Sequence, residues 1–75
     1  MKDRVSITML EDGVADVRLI RTDKMNALDP AMFSGIAEAI AQLKETKGLR
    51  VVVLSGEGRA FCAGADVSAG SASFD

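Results

Sequence analysis

The run Val51-Val52-Val53-Leu54 sets four aliphatic residues in succession with no polar position among them. A strand with one face in water alternates polar and apolar residues, so an unbroken run predicts a strand buried on both faces, usually central and parallel. Such a strand needs cover from two sides, yet the sequence offers one helix. That helix is announced by Asp29-Pro30, an N-cap residue followed by proline at the first helical position. Phe33, Ile36, Ala37, Ile40 and Leu43 then recur at spacings of three and four, with Ser34, Glu38, Gln42 and Glu45 mostly on the opposite side. Lys44 and Lys47 suit the negative end of the helix dipole, and Gly48 suits the residue after the cap.

Ahead of the helix, Val5, Ile7 and Met9 alternate with Ser6 and Thr8, the period of a half-buried strand. Glu11-Asp12-Gly13 marks a turn in which Gly13 can take positive φ, and a second strand runs from Val14 to Arg21. These two strands read as an antiparallel hairpin. Strand, helix and second buried strand then make a βαβ crossover, right-handed if both strands share one sheet. The predicted class is α/β with the order ββαβ. From Ser68 onward the sequence turns small and polar, and no internal repeat or domain boundary interrupts residues 1–75.

A chain of 75 residues makes one small domain at most, and one so short buries only about 60% of its unfolded surface. A single cysteine and no histidine exclude an internal disulfide and the zinc sites built on histidine or paired cysteines. The usual supports of a mini-protein are missing, which favours a segment of a larger fold or a subunit leaning on another chain. Net charge is −2, with neither sign in runs, so there is no electrostatic footprint for nucleic acid. No apolar stretch approaches a membrane span, and Met1-Lys2-Asp3-Arg4 does not begin a signal peptide. The expected compartment is the cytoplasm.

The third strand feeds Ser55-Gly56-Glu57-Gly58-Arg59-Ala60-Phe61-Cys62-Ala63-Gly64-Ala65-Asp66-Val67. A loop at the carboxyl end of a parallel strand is where ligands bind in open α/β sheets, and three glycines let the backbone come close to one. The plainer alternative is a surface turn. Both standard phosphate fingerprints fail: a dinucleotide loop would carry glycine where Phe61 stands, and the Lys-Ser/Thr pair of a P-loop is absent.

Arg59-Ala60-Phe61-Cys62-Ala63-Gly64-Ala65-Asp66-Val67 resembles the Ala-Phe-x-Ala-Gly-Ala-Asp signature of the enoyl-CoA hydratase/isomerase, or crotonase, family. Arg21-Thr22-Asp23-Lys24-Met25-Asn26-Ala27-Leu28 is similar to the family's Arg-Pro-x-Lys-x-Asn-Ala-Leu block, with Thr22 where proline is frequent. The resemblance covers residues 4–67 and implies the N-terminal ββαβ part of a crotonase, ClpP-like spiral, fold, so that residues 1–75 would be an incomplete N-terminal segment. It also implies that the backbone N–H of Ala65 is one of two donors in an oxyanion hole that polarises a thioester carbonyl and holds its enolate. Backbone from Lys24 through Met25 to Ala27 would follow the adenine and pantetheine of coenzyme A, and Arg59 would lie near its phosphates. Ala63 and Gly64 would line the same site, and Asp66 and Val67 would flank the thioester, with Asp66 opening a short helix. The substrate implied is a coenzyme A thioester, with no prosthetic group and no metal.

Each residue also has a plainer role. Asn26 reads first as a stabiliser of its own loop, Lys24 as a solvated lysine, and Phe61 and Val67 as packing residues. Met9, Met25 and Met32 are candidates for the core or for a pocket lining. Cys62 reads as a small hydrophobe, since no histidine is present to activate a thiolate.

By the same resemblance, the second oxyanion donor and the acid/base carboxylates lie beyond Asp75, as do the helices that build the family's trimers and hexamers. Two readings stand. In one, the chain is the front of a crotonase-type enzyme, itself inactive alone and partnered by the remainder of the parent chain or by a homo-oligomer. In the other, it is a free-standing, non-catalytic module that binds an acyl-CoA or a protein.

Overall fold

The computed structural model describes residues 3–66. Val5–Met9 (β1) and Val14–Leu19 (β2) form the expected antiparallel hairpin, with Val5 opposite Leu19, Ile7 opposite Val17 and Met9 opposite Ala15. The period of two therefore gathers Val5, Ala15, Val17 and Leu19 on one face, where all four are buried. Between the strands, Glu11–Gly13 makes a single 3-10 turn with φ of 63° at Asp12 and 76° at Gly13. Glycine is required at position 13 because a Cβ there would overlap the carbonyl oxygen of Gly48. The Gly13 carbonyl in turn accepts from the Arg50 N–H at 2.8 Å, fixing the entry to the next strand.

That strand, Val51–Gly56 (β3), lies parallel to β2 from Val14 opposite Val51 to Leu19 opposite Gly56, giving the sheet order β1-β2-β3. The crossover between them contains the helix Pro30–Lys44 (α1). The Asp29 carboxylate caps it by accepting from the Met32 N–H at 2.8 Å, and Pro30 occupies the first turn, as the sequence predicts. Met32 and Ala39 join the four strand residues in the core, with Ile7, Leu28, Ile36, Leu43, Leu49 and Cys62 packed around them.

Three expectations need correction. The helix buries Met32, Gly35 and Ala39; of the expected stripe, Ile36 and Leu43 pack against the core, whereas Phe33, Ala37 and Ile40 are exposed. Small residues let α1 approach the sheet closely, a gain that a search for large apolar side chains does not register. Gly48 is not next to the helix cap, because α1 closes at Glu45 and Gly48, at φ 80°, belongs to the following turn.

The third correction concerns β3. It is parallel, but it is the edge of the described sheet, and Val51 to Leu54 remain 45–55% exposed. Pairing places Val52 and Leu54 on the core face beside Ala15 and Val17, yet α1 packs chiefly against β1. An apolar cavity of about 350 Å³ is left, lined by residues that include Ile40, Leu43, Val52, Leu54 and Phe61.

Candidate active site

Because β2 and β3 are parallel, the segments that follow them, residues 20–28 and 57–66, leave the same edge of the sheet. That edge is where open α/β sheets place ligands. The two segments are stitched together by backbone hydrogen bonds. The Glu57 N–H donates to the Leu19 carbonyl at 2.9 Å and the Ala63 N–H to the Met25 carbonyl at 2.9 Å. Leu28 and Ala65 then form a parallel bridge, in which the Leu28 N–H donates to the Gly64 carbonyl at 2.8 Å and the Asp66 N–H to the Leu28 carbonyl at 2.9 Å.

This bridge settles where the Ala65 N–H points. A peptide unit is planar and trans, so the carbonyl of Gly64 and the N–H of Ala65 are antiparallel within one plane. With that carbonyl aimed at Leu28, the Ala65 N–H is aimed away from it. Ala65 is exposed, and its N–H makes no hydrogen bond among the described residues. Gly64 enters the bridge at φ 89°, a left-handed value that glycine adopts at least cost, and its own N–H rests on the Cys62 sulfur at 3.4 Å.

The first segment is held just as firmly. Thr22–Lys24 forms a 3-10 turn, after which Met25 and Asn26 adopt φ of 50° and 57°. Asparagine tolerates that region; methionine there is uncommon, and the surrounding bonds enforce it. The Asn26 N–H and the Lys24 N–H both donate to the Arg21 carbonyl, at 2.8 and 3.1 Å. The Asn26 side chain, fully buried, donates through Nδ2 to the carbonyls of Glu57 at 3.0 Å and Ala60 at 2.9 Å. It therefore steadies its loop, as the plainer reading expects, and also pins the second loop to the first.

Alternating charges run beneath the bridge. Arg4 holds Asp29 through Nη2 at 2.9 Å and Nε at 3.3 Å. Arg21 Nη1 lies 3.4 Å from Asp29, 2.8 Å from the Asp66 carboxylate and 3.1 Å from the Ala27 carbonyl. The hydrogen bond from Arg4, with the Met32 N–H and the charge of Arg21 behind it, outweighs burial and holds the Asp29 carboxyl at about 2. The Arg4 guanidinium is shifted up by the same hydrogen bond.

Of the residues singled out in the sequence, Met25, Ala27, Ala63, Gly64, Ala65 and Asp66 are brought together by these bonds. Lys24 is exposed beside them, and Arg59 is exposed in the turn after Gly58. The Asp66 side chain is turned to Arg21 and buried, so its backbone, not its carboxylate, borders Ala65. Val67, and the short helix expected after Asp66, lie outside the described residues. Cys62 is half-buried against the core, Phe61 lines the cavity while 53% exposed, and of the three methionines only Met32 is buried. The ion pairs of Arg4 and Arg21 and the second role of Asp29 have no sign in the sequence beyond the place of Arg21 at the head of the Arg21–Leu28 block. No group of three or more cysteine or carboxylate side chains among the described residues is placed to hold a metal ion. No helix among them is long and apolar enough to cross a membrane.

The family model for enoyl-CoA hydratase/isomerase matches residues 9–73. The chain is 32% identical over 62 residues to 1,2-epoxyphenylacetyl-CoA isomerase of Escherichia coli, covering 83% of this chain and 24% of that protein. It is 37% identical over 59 residues to 3-hydroxyisobutyryl-CoA hydrolase 1 of Arabidopsis thaliana, covering 79% of this chain and 16% of that one. The crystal structure of an enoyl-CoA hydratase from Thermoplasma volcanium matches with a TM-score of 0.81 at 33% identity, over 97% of this chain and 28% of that one. The chain thus spans about a quarter of the length of such relatives or less. With ββαβ elements that superpose on crotonase structures and a family match over most of its residues, the chain belongs to the enoyl-CoA hydratase/isomerase (crotonase) family.

Proposed function

We propose that residues 21–28 and 57–66 bind a coenzyme A thioester and that the Ala65 N–H donates to its carbonyl oxygen as negative charge develops there. The orientation of that N–H carries the reading: it is exposed, it makes no hydrogen bond among the described residues, and the Leu28–Gly64 hydrogen bond holds it in one direction. A donor fixed before the reaction needs no reorganisation when the oxyanion forms, and one such donor is typically worth about 2.7–4 kcal/mol. Backbone of Lys24 to Ala27 supports the coenzyme, and exposed Lys24 and Arg59 supply charge for its phosphates. Coenzyme A enters as substrate, and polarising its thioester is common to hydration, double-bond shift and thioester hydrolysis.

The experiment compares Ala65→Pro with Ala65→Ser in a catalytically active chain carrying these residues. Proline deletes the donor and serine keeps it. Proline should lower kcat about 10²–10³-fold and serine should leave it near the parental value, with coenzyme A affinity changed less in both. Proline also restricts Gly64, so circular dichroism and melting must first match the parent. A folded Ala65→Pro protein with parental kcat would remove Ala65 from the site.

A further inference from the structure

We infer that Arg21 and Asp66 form a positioning clamp that sets the direction of the Ala65 N–H, an inference that rests on the proposed role of that N–H. The peptide plane carrying it lies between two unlike joints. On one side stands Gly64, whose φ of 89° is open to many alternatives because it has no Cβ. On the other stands Ala65, tied at once to Asp66, whose N–H is bound to the Leu28 carbonyl and whose carboxylate meets Arg21 at 2.8 Å. The Leu28 N–H holds the plane at the Gly64 carbonyl, at 2.8 Å, but the glycine itself offers the plane no resistance to a swivel. Asp66 holds the chain on the far side of Ala65.

The clamp is built for that task. The side chains of Arg21 and Asp66 are 12% and 10% exposed, so water competes weakly for either. The same Nη1 that grips Asp66 also donates to the Ala27 carbonyl at 3.1 Å. One nitrogen thereby joins the residue after Ala65 to the residue before Leu28, the bridge partner of Ala65. Asp29, fixed by Arg4 and by the helix cap, lies 3.4 Å from that nitrogen and keeps the guanidinium from turning away. Neither Arg21 nor Asp66 need touch substrate. Both act through the peptide plane of residues 64 and 65, and displacing a catalytic group by about 1 Å costs about 10²-fold in rate.

The test uses Arg21→Gln, Asp66→Asn and the double variant, alongside Ala65→Pro, in a catalytically active chain carrying these residues. Asp66→Asn keeps the side-chain shape and the bond from the Asp66 N–H, so it keeps the test readable if Arg21→Gln loses the fold. Each single variant, checked by melting, should lower kcat by about 10–10²-fold with KM changed by less than about threefold. The double variant should be no worse than the poorer single one, since the two groups act as one unit. A second readout is the infrared carbonyl stretch of bound butyryl-CoA carrying ¹³C at the thioester. The parent should lower it from the value in water, and the clamp variants should return it most of the way.

If Ala65→Pro lowers kcat while folded Asp66→Asn retains both parental kcat and the parental carbonyl shift, the clamp is refuted and the role of Ala65 stands. If folded Ala65→Pro retains parental kcat, both fall. A fall in kcat that tracks lost stability, with the carbonyl shift unmoved, would mark the pair as structural only and also refute the clamp.

Discussion

Asn26 reaches across 34 positions of sequence to donate from Nδ2 to the carbonyl of Ala60 at 2.9 Å, and the same nitrogen donates to the carbonyl of Glu57. Both acceptors are backbone oxygens, so the amide has one sensible orientation. Asn26→Ala leaves the two carbonyls without this donor and should cost about 1–3 kcal/mol. Asn26→Asp should cost more, because an ionised carboxylate would face two acceptors while fully buried. Urea unfolding of the three proteins gives the order; an aspartate variant as stable as the parent would contradict it.

Gly56, at the end of β3, has no room for a side chain. A Cβ there would overlap the carbonyl of Phe61 and stand 2.7 Å from the Phe61 Cα and 2.8 Å from Asn26 Nδ2. Two of those obstacles are backbone, which cannot move without moving the loop that carries Ala65. Gly56→Ala should therefore destabilise by about 3 kcal/mol. Gly48 provides the control, since a Cβ there meets nothing within 4 Å and only its φ of 80° opposes alanine. Its alanine variant should cost about 1–2 kcal/mol. Equal losses at the two sites, in thermal or urea melts, would show that the contacts of Gly56 are unimportant.

The depressed carboxyl of Asp29 ties stability to acid. Its value in the folded chain is about 2 against an ordinary 3.8, so the folded state binds the proton less readily than the unfolded state. The resulting stabilisation, about 2 kcal/mol, is complete above the ordinary value and is lost as pH falls through about 2. Asp29→Asn should remove this dependence and lower stability at neutral pH, with less effect near pH 2. Unfolding curves for both proteins between pH 2 and pH 7 measure the difference. Parallel pH profiles would show that Asp29 is not the group responsible.

Local chemistry was legible where one short stretch decides the outcome. The strand Val5–Met9, the Gly13 turn and the Asp29-Pro30 start of α1 all stand as the sequence predicts, although Met9 is exposed at the strand's end. The face of α1 was legible only through Ile36 and Leu43, because Gly35 and Ala39 are buried without contributing apolar bulk. Whether Val51 to Leu54 are covered depends on what lies over them, which their own composition does not encode. The same division runs through the site. The loop of Ala63 to Asp66 was visible as a motif, whereas the partnership of Arg21 with Asp66, 45 positions apart, has no signature in spacing. Two buried opposite charges become a pair only after β2 and β3 have brought their following segments side by side.

The exposed third strand should make the isolated 75-residue polypeptide associate. Val51 and Val53 lie on the face turned from α1 and Val52 and Leu54 on the other, and all four are 45–55% exposed. Each Å² of apolar surface withdrawn from water is worth about 25 cal/mol, and the outer edge of β3 presents backbone groups that no strand among the described residues pairs. Sedimentation velocity should show mass rising with concentration. Val53→Lys should suppress that rise, since a charge on the outward face opposes both stacking of sheets and pairing at the edge. It should leave the hairpin and α1 unchanged by circular dichroism, because Val53 takes no part in the core cluster. A parent chain that stays monomeric at every concentration and melts cooperatively at high temperature would mean that the half-covered strand is stable as it stands, and that the apolar surface of β3 needs no partner.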